Sequence, residues 1–115
     1  KELLEQTSRT FTGSGIEHGF IAADFPLNPF APVQLCGIAT LRRRLGAVDA
    51  PDLIVWDEAH HCVAGDWSDV AAAFPSAVHV GLTATPQRLD GRGLSDHFDE
   101  LICGPSVKQL IEAGH

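Results

Sequence analysis

This sequence of 115 residues lacks the features of a membrane protein or of a disulfide-bonded scaffold. No apolar run approaches the ~20 residues that a membrane-spanning helix needs, and the opening Lys-Glu-Leu-Leu-Glu is not the pattern of a signal peptide. The three cysteines, Cys36, Cys62 and Cys103, are odd in number and form no CxxC pair, which excludes a disulfide scaffold. We therefore expect a cytoplasmic protein with reduced core thiols and no membrane partner.

Positive charge is also scarce. Lysine and arginine number 8 against 15 aspartates and glutamates, a net charge of −7, which argues against a wholly basic nucleic-acid-binding surface. Hydrophobic residues make up 44% of the chain and charged residues 20%, so the chain can bury a core and global disorder is not expected. The length fits a single domain.

Short apolar runs alternate along the chain with segments of helical pattern. Strands are predicted at residues 19–23, 33–38, 52–56, 77–82 and 101–103, and helices at residues 1–12, from Thr40, at 67–74, 94–98 and 106–113. Residues 24–32 hold three of the seven prolines and are predicted to form a loop. Ser106 and Gln109 have the spacing of a helix capping box. Strands alternating with helices predict a three-layer α/β domain with a mostly parallel sheet.

The first chemical signal follows the apolar run at residues 52–56, which ends in Asp57-Glu58 and then His60. A run that is apolar on both faces is typical of a strand buried in a parallel sheet, and open α/β sheets bind ligands at the carboxyl ends of their strands. One carboxylate can hold Mg²⁺, and the other can take a proton from an attacking water. The alternative is an exposed acidic turn, since Asp-Glu pairs are common in turns.

The second signal is Thr83-Ala84-Thr85-Pro86, which follows the strand predicted at residues 77–82. Hydroxyls two residues apart lie on the same side of an extended segment, where they can bond a carboxylate or a histidine at the end of a neighbouring strand. The alternative is a Ser/Thr turn closed by proline. Two such motifs about 20 residues apart, each ending a predicted strand, favour one shared site.

The DEAH sequence at residues 57–60 and the TATP sequence at residues 83–86 resemble motifs II and III of the superfamily-two DEAD/DEAH-box helicases and translocases of bacterial and phage type. The resemblance covers nearly the whole chain. It implies a RecA-like fold and an ATP-dependent motor, either a helicase or the translocase subunit of a restriction system, that acts on DNA or RNA, with DNA favoured. It also implies ATP and Mg²⁺ as cofactors of the full-length protein.

The resemblance also implies a role for each residue of the two motifs. Asp57 would coordinate the Mg²⁺ of Mg-ATP, and Glu58 would orient and deprotonate the attacking water. His60 would couple the nucleotide state to a second RecA-like domain of the same protein. Thr83 and Thr85 would connect hydrolysis to movement along the nucleic acid.

A third match, Ala39-Thr40-Leu41, resembles a nucleic-acid-contact motif of the same family. By that resemblance Thr40 would contact a backbone phosphate, with Arg43 as a further candidate, and the run of arginines at residues 42–44 suits phosphate contacts. The alternative for these arginines is a solvated helix face. Many relatives carry glutamine where this sequence has Ala39.

No GxxxxGK[ST] sequence is present, and the chain holds only Lys1 and Lys108. Phosphoryl transfer in this class of enzyme relies on such a loop and its lysine to cradle the phosphates. The resemblance places that loop before residue 1 and a second motor domain after residue 115. We therefore expect residues 1–115 to be a single partial RecA-like domain, truncated at its N-terminal side, that is inactive alone and can dimerise through the exposed sheet edge.

Two other functions compete with the motor. In a non-enzymatic nucleic-acid or protein-binding module the fold would be kept without turnover; the intact Asp57-Glu58 pair favours the motor, whereas the net charge of −7 favours the module. A zinc hydrolase would use His60, His61 and Cys62 with Asp57. Zinc ligands are usually spaced by two to four residues, however, and HExxH is absent from the sequence.

Overall fold

The computed structural model describes residues 1–61, 65–85 and 98–114 of the chain. Its helices and strands are α1 (Glu2–Gly13), β1 (His18–Ile21), β2 (Val33–Cys36), α2 (Ile38–Arg43), β3 (Leu53–Trp56), α3 (Asp66–Ala73), β4 (Val78–Gly81) and α4 (Val107–Glu112). Single 3₁₀ turns lie at Leu45–Ala47 and Ala59–His61. The result is a small α/β fold with short parallel strands.

β1 and β2 form one two-stranded parallel sheet. The crossover between them, residues 22–32, is fully described and holds no helix, as its prolines predict. Leu27 forms a bridge to Phe20, and the Phe25 ring stacks on the Phe20 ring with centroids 4.4 Å apart. The Gln34 amide donates to two carbonyls of the crossover at 2.7 and 2.9 Å. The loop is therefore held against its own sheet.

β3 and β4 form a second two-stranded parallel sheet, with Leu53 opposite Val78 and Trp56 opposite Gly81. The ladder continues beyond the strand ends, because the Leu82 N–H donates to the Trp56 carbonyl at 2.8 Å. The segments that follow the two strands consequently leave the sheet at the same edge, side by side.

One face of this second sheet is uncovered in the described chain, which corrects the prediction of a strand buried on both faces. Leu53 and Val55 are 54% and 56% exposed, and Val78 and Val80 are 62% and 41% exposed. Alternate residues of a strand share a face, so these four side chains form one apolar surface. The opposite face carries Trp56, which is only 5% exposed.

The covered face of β3 packs into a core to which both sheets contribute. The buried members of this cluster come from β1, α2, β3, the turn after β3 and α3; they are Ile21, Leu41, Trp56, Ala59, Val70 and Phe74. Trp67 of α3 packs against Trp56 with ring centroids 5.2 Å apart. α3 therefore supports the strand that leads to Asp57.

Arg42 joins α2 to α3. Its Nη1 lies 3.0 Å from Asp66 Oδ1 and its Nε lies 2.7 Å from Asp69 Oδ2. Both aspartates stand in the first turn of α3, where negative charge also interacts favourably with the helix dipole. The Arg42 guanidinium is therefore paired with two carboxylates that join the two helices.

The strand predicted at residues 101–103 is wrong. Leu101 and Ile102 are 63% and 85% exposed, and the segment pairs with no strand among the described residues. An apolar run becomes a strand only where a neighbour pairs with its N–H and C=O groups. The helix predicted at residues 94–98 lies, except for its last residue, outside the described residues.

The helix predicted at residues 106–113 is confirmed as α4. The Ser106 hydroxyl accepts from the Gln109 N–H, and the Gln109 side chain accepts from the Ser106 N–H, which is the predicted capping box. Throughout the described ranges, no helix combines the length and apolar character needed to cross a membrane.

The expectation of three core thiols is corrected. Cys103 is exposed and Cys36 is partly buried, while Cys62 lies outside the described residues. Burial raises the pKa of the Cys36 thiol to about 11. Since the thiolate is the reactive form, Cys36 is inert at neutral pH.

Candidate functional site

The DEAH residues form the turn that leaves β3, and the backbone of Leu82, just after β4, brackets that turn. The Leu82 N–H donates to the Trp56 carbonyl at 2.8 Å, and the Ala59 N–H donates to the Leu82 carbonyl at 2.9 Å. Ala59 is 1% exposed, so its end of this bracket is buried. Asp57 and Glu58, which lie between the two anchored residues, are exposed.

Glu58 adopts a backbone conformation that few side chains tolerate. Its φ is 54°, in the left-handed region, which costs a residue other than glycine about 1–3 kcal/mol. Asp57 Oδ1 accepts from the Glu58 N–H at 3.0 Å and helps to hold this turn. The Asp57 carboxylate thus faces the main chain of the turn, whereas the Glu58 carboxylate lies beside His60. The two adjacent carboxylates have different surroundings.

His60 is the point at which the two motifs meet. Its Nδ1 lies 2.9 Å from Thr83 Oγ1, 3.4 Å from Thr85 Oγ1 and 3.2 Å from Glu58 Oε2. The Glu58 carboxylate, which can only accept, lies within ion-pair distance of Nδ1 and favours a proton there, and that proton can be donated to Thr83 Oγ1. The Thr85 N–H donates to Thr83 Oγ1 at 3.1 Å and fixes the second motif.

The burial of these side chains differs in a way that matters for chemistry. The His60 side chain is 24% exposed, whereas that of Glu58 is 58% exposed. The imidazole is therefore held between the two strand ends. The Glu58 carboxylate, although 3.2 Å from that imidazole, remains accessible to water and to a ligand.

Asp57 and Glu58 supply the hard oxygen donors that Mg²⁺ prefers. Among the described residues, no three His, Cys, Asp or Glu side chains are grouped so as to hold a metal ion, and Cys62 lies outside them. Mg²⁺ usually binds one or two carboxylates and takes its other ligands from water and substrate phosphates. The donors of this turn fit that arrangement.

Thr40 and Arg43, the predicted nucleic-acid contacts, lie together at the other sheet. They line a shallow cleft of about 160 Å³ with Ala23 and Arg44. The Arg43 Nε donates to the Ala39 carbonyl at 3.1 Å, which holds the guanidinium along α2. Two cations and a hydroxyl in one cleft suit a phosphate group. The cleft lies at the carboxyl end of the β1–β2 sheet, and the DEAH turn lies at that of the β3–β4 sheet.

Trp56 and His79, whose pairing the sequence pattern does not reveal, support the site from the core side. The Trp56 Nε1–H donates to His79 Nδ1 at 3.0 Å, and the His79 Nε2–H donates to the Phe74 carbonyl at 3.0 Å. The Trp56 and His79 rings are nearly parallel, at 10°, with centroids 5.9 Å apart. The signal available in the sequence was a polar residue within the otherwise apolar strand Val78–Gly81.

Gly81 lies where any side chain would separate the two motifs. A Cβ at this position would be 2.7 Å from Ala59 Cβ and 2.7 Å from Phe98 Cζ. We expect Gly81→Ala to lower the free energy of unfolding by about 1–3 kcal/mol, because the strand end and the turn must move apart. Thermal denaturation beside Gly46→Ala, whose added Cβ meets nothing within 4 Å, checks this. Equal stability of the two variants would contradict it.

Comparison with known proteins gives the following similarities. Residues 1–88 match the family described as Type III restriction enzyme, res subunit. The chain is 32% identical over 111 residues to the "51.5 kDa protein" of a Lactococcus phage (isolate 7-9), which covers 96% of this chain and 22% of that protein.

Two further relatives match shorter stretches. Identity is 38% over 71 residues with the Type I restriction enzyme EcoAI endonuclease subunit of Escherichia coli, covering 59% of this chain and 9% of that one. Identity is 45% over 55 residues with the DNA 3'-5' translocase XPB2 of Sulfurisphaera tokodaii, and the match covers 48% of this chain and 12% of that protein. The chain spans at most 22% of the length of these three relatives.

Proposed function

Because this chain belongs to the family described as Type III restriction enzyme, res subunit, we propose that it is part of an ATP-dependent motor that moves along a nucleic acid. The observation that carries the proposal is the junction at His60, where Glu58 of the first motif meets Thr83 and Thr85 of the second. The Glu58 carboxylate and two hydroxyls of the neighbouring strand end thereby contact the same imidazole nitrogen. A displacement of either strand end is therefore transmitted to the other through the contacts of His60.

We propose a role for each predicted residue of the two motifs, and its surroundings in the structure support that role. Asp57 would hold Mg²⁺ through a carboxylate oxygen, and the ion when bound polarises the phosphate oxygens of ATP. Glu58, accessible to water, takes a proton from the attacking water. The Nδ1–H of His60 orients the Glu58 carboxylate. Thr83 and Thr85 carry the state of that carboxylate, through His60, to the segment after β4.

Hydrolysis also needs parts that this sequence does not contain. A phosphate-binding GxxxxGK[ST] loop is absent from it, and the proposal requires both that loop and an arginine finger from a second RecA-like domain. We propose that the same full-length protein supplies both parts. In this proposal residues 1–115 form one part of a three-layer RecA-like domain, and the protein is cytoplasmic. The proposal further includes pairing of two copies of this chain through an exposed sheet edge.

Among such motors, the translocase subunit of a restriction system is favoured by the family description and by the similarity to a type I restriction endonuclease subunit. The similarity to a protein named as a DNA translocase favours DNA over RNA. The competing non-enzymatic binding module predicts that the same fold binds its partner with no turnover of ATP.

The experiment compares ATP hydrolysis by the full-length protein and by this chain, each with and without single-stranded DNA and RNA. We expect hydrolysis by the full-length protein alone, stimulated by DNA. Stimulation by RNA instead would show that the motor acts on RNA and not on DNA. No hydrolysis by either protein would favour the binding module, and hydrolysis by the chain itself would overturn the requirement for an external phosphate loop.

The cleft at Thr40 and Arg43 gives a separate prediction about nucleic-acid binding. We expect Arg43→Gln in the full-length protein to weaken binding of single-stranded DNA and to lower the slope of log affinity against log salt by about one unit, because one phosphate contact is lost. Thr40→Ala removes a neutral contact and is expected to weaken binding with the slope unchanged. Titration by fluorescence anisotropy at several salt concentrations measures both quantities.

The control for that titration is Arg9→Gln, which removes the same charge from an exposed position on α1. It is expected to leave the slope at its wild-type value. If Arg9→Gln and Arg43→Gln change the slope equally, the cleft is not a specific contact, and the general charge of the chain accounts for binding.

A further inference from the structure

We infer that His79 is a positioning residue for ATP hydrolysis: by holding the Trp56 indole from the core side, it keeps the turn of Asp57 and Glu58 in its working geometry. The inference rests on the function proposed above for that turn. It adds a second link between β3 and β4, on the core side of the sheet and separate from the junction at His60.

Both ring nitrogens of His79 are engaged. Nδ1 accepts from the Trp56 indole N–H at 3.0 Å, and Nε2 lies 3.0 Å from the Phe74 carbonyl, to which it must donate. These partners fix the ring as the neutral Nε2–H tautomer and hold it at both ends. His79 therefore ties the C-terminal end of α3 to the last residue of β3.

The Trp56 ring has little freedom to leave this position. It is 5% exposed, and it packs between Trp67 at 5.2 Å and His79 at 5.9 Å, measured between ring centroids. Without an acceptor on His79, a buried indole N–H would be left unsatisfied. The ring would then turn toward another acceptor or toward solvent.

Such a rotation acts directly on the proposed catalytic turn. Trp56 directly precedes Asp57 in the chain. The Trp56 carbonyl accepts from the Leu82 N–H at 2.8 Å, and this is one of the two hydrogen bonds that bracket Asp57 and Glu58. Glu58 is already held at a φ of 54°, so the turn depends on its neighbours to keep it in place. A small displacement of a reacting group lowers the rate strongly.

Three substitutions at this position separate the two hydrogen bonds. His79→Asn places an amide oxygen near the position of Nδ1 and keeps an acceptor for Trp56. His79→Gln places its amide near Nε2 and keeps only the bond to the Phe74 carbonyl. His79→Phe keeps the stacked ring and removes both bonds.

We expect the Gln and Phe variants of the full-length protein to lose roughly 10- to 100-fold in kcat, with an unchanged KM for ATP, because groups that orient a catalytic residue typically have effects of this size. The Asn variant is expected to restore most of kcat. The matched control is His18→Phe, since His18 is also bonded through both nitrogens, to Ser8 Oγ at 2.7 Å and the Ile16 carbonyl at 2.9 Å, but lies on β1. Its kcat is expected to equal that of the wild type.

The Trp56 bond is read directly from the indole N–H resonances of the same proteins. Trp56→Phe in the full-length protein assigns the resonance of Trp56, because that resonance is the one that disappears. We expect slow hydrogen exchange of the Trp56 indole in the wild type and in the Asn variant, and faster exchange in the Gln and Phe variants.

Each outcome has a distinct meaning. Wild-type kcat in the Gln and Phe variants, with hydrolysis by the wild type intact, would overturn the positioning role and leave the proposed function standing. Equal losses in the Asn, Gln and Phe variants would also overturn it, since general destabilisation would then explain the loss. Absence of hydrolysis in the wild-type protein would overturn the proposed function and, with it, this inference.

Discussion

Replacing Glu58 by glutamine in the full-length protein is expected to lower ATP turnover by roughly 10²–10⁴-fold, because the amide cannot take the proton of the attacking water. ATP binding is expected to remain, since Asp57 keeps its carboxylate. In the wild type, Glu58 Oε2 lies 3.2 Å from His60 Nδ1. The Oε1 atom of glutamine can take the same place beside His60, so the junction of the two motifs is preserved. The substitution therefore removes the proton acceptor while keeping the geometry of the turn, so a loss of turnover reports on proton transfer alone.

Single-turnover hydrolysis and equilibrium binding of ATP, measured on the same preparation, test this expectation. Glu17→Gln is the matched control, because Glu17 is an exposed glutamate in the segment between α1 and β1. Turnover by Glu58→Gln at the rate of this control would show that another group takes the proton. Loss of ATP binding together with turnover would assign Glu58 to nucleotide binding instead.

The largest expected effect on stability comes from Phe74, directly after α3. Its side chain is 7% exposed and packs in the core cluster with Trp56 and Val70. We expect Phe74→Ala to lower the free energy of unfolding by about 3–5 kcal/mol, through lost burial and the cavity left behind. Proteins of this size are commonly stable by about 5–15 kcal/mol, so the loss is a large share of the total.

Denaturant unfolding followed by tryptophan fluorescence measures the change, since both tryptophans report on this core. Phe30→Ala provides the comparison, because Phe30 is 94% exposed in the crossover between β1 and β2. It is expected to alter stability by less than about 0.5 kcal/mol. Equal losses in the two variants would show that Phe74 does not belong to a packed core.

Much of the secondary structure could be predicted because it depends on local pattern. The predicted helix at residues 1–12 is α1 (Glu2–Gly13), and the predicted strand at residues 77–82 contains β4 (Val78–Gly81). The helix predicted from Thr40 begins two residues earlier, at Ile38, with Gly37 as its N-cap. Such shifts at element ends are expected, since capping depends on the conformation of one or two residues.

The placement of the motifs was also within reach of the sequence. Parallel strands that follow one another present their carboxyl ends at one edge, so the histidine after β3 and the threonines after β4 had to lie near each other. In the structure His60 Nδ1 and Thr83 Oγ1 are 2.9 Å apart, which is hydrogen-bond distance. Adjacency follows from topology, whereas the bond itself depends on side-chain geometry.

Tertiary packing decided what local pattern does not carry. Residues 101–103 have the apolar character of a strand but no neighbour to pair with among the described residues, and Leu53 and Val55 lie on a face that nothing described covers. Arg42 resembles its neighbours in the sequence, but only the tertiary structure brings its guanidinium to Asp66 and Asp69.

By itself, the sequence determined the order of the helices and strands from α1 to β4, the capping of α4 and the identity of the two motifs, because each depends on residues close together in the chain. Only the tertiary structure decided that His79 holds Trp56 and that Leu82 brackets Asp57 and Glu58. Those contacts join residues more than twenty positions apart. Their hydrogen bonds require the parallel register of β3 and β4, which no local pattern specifies.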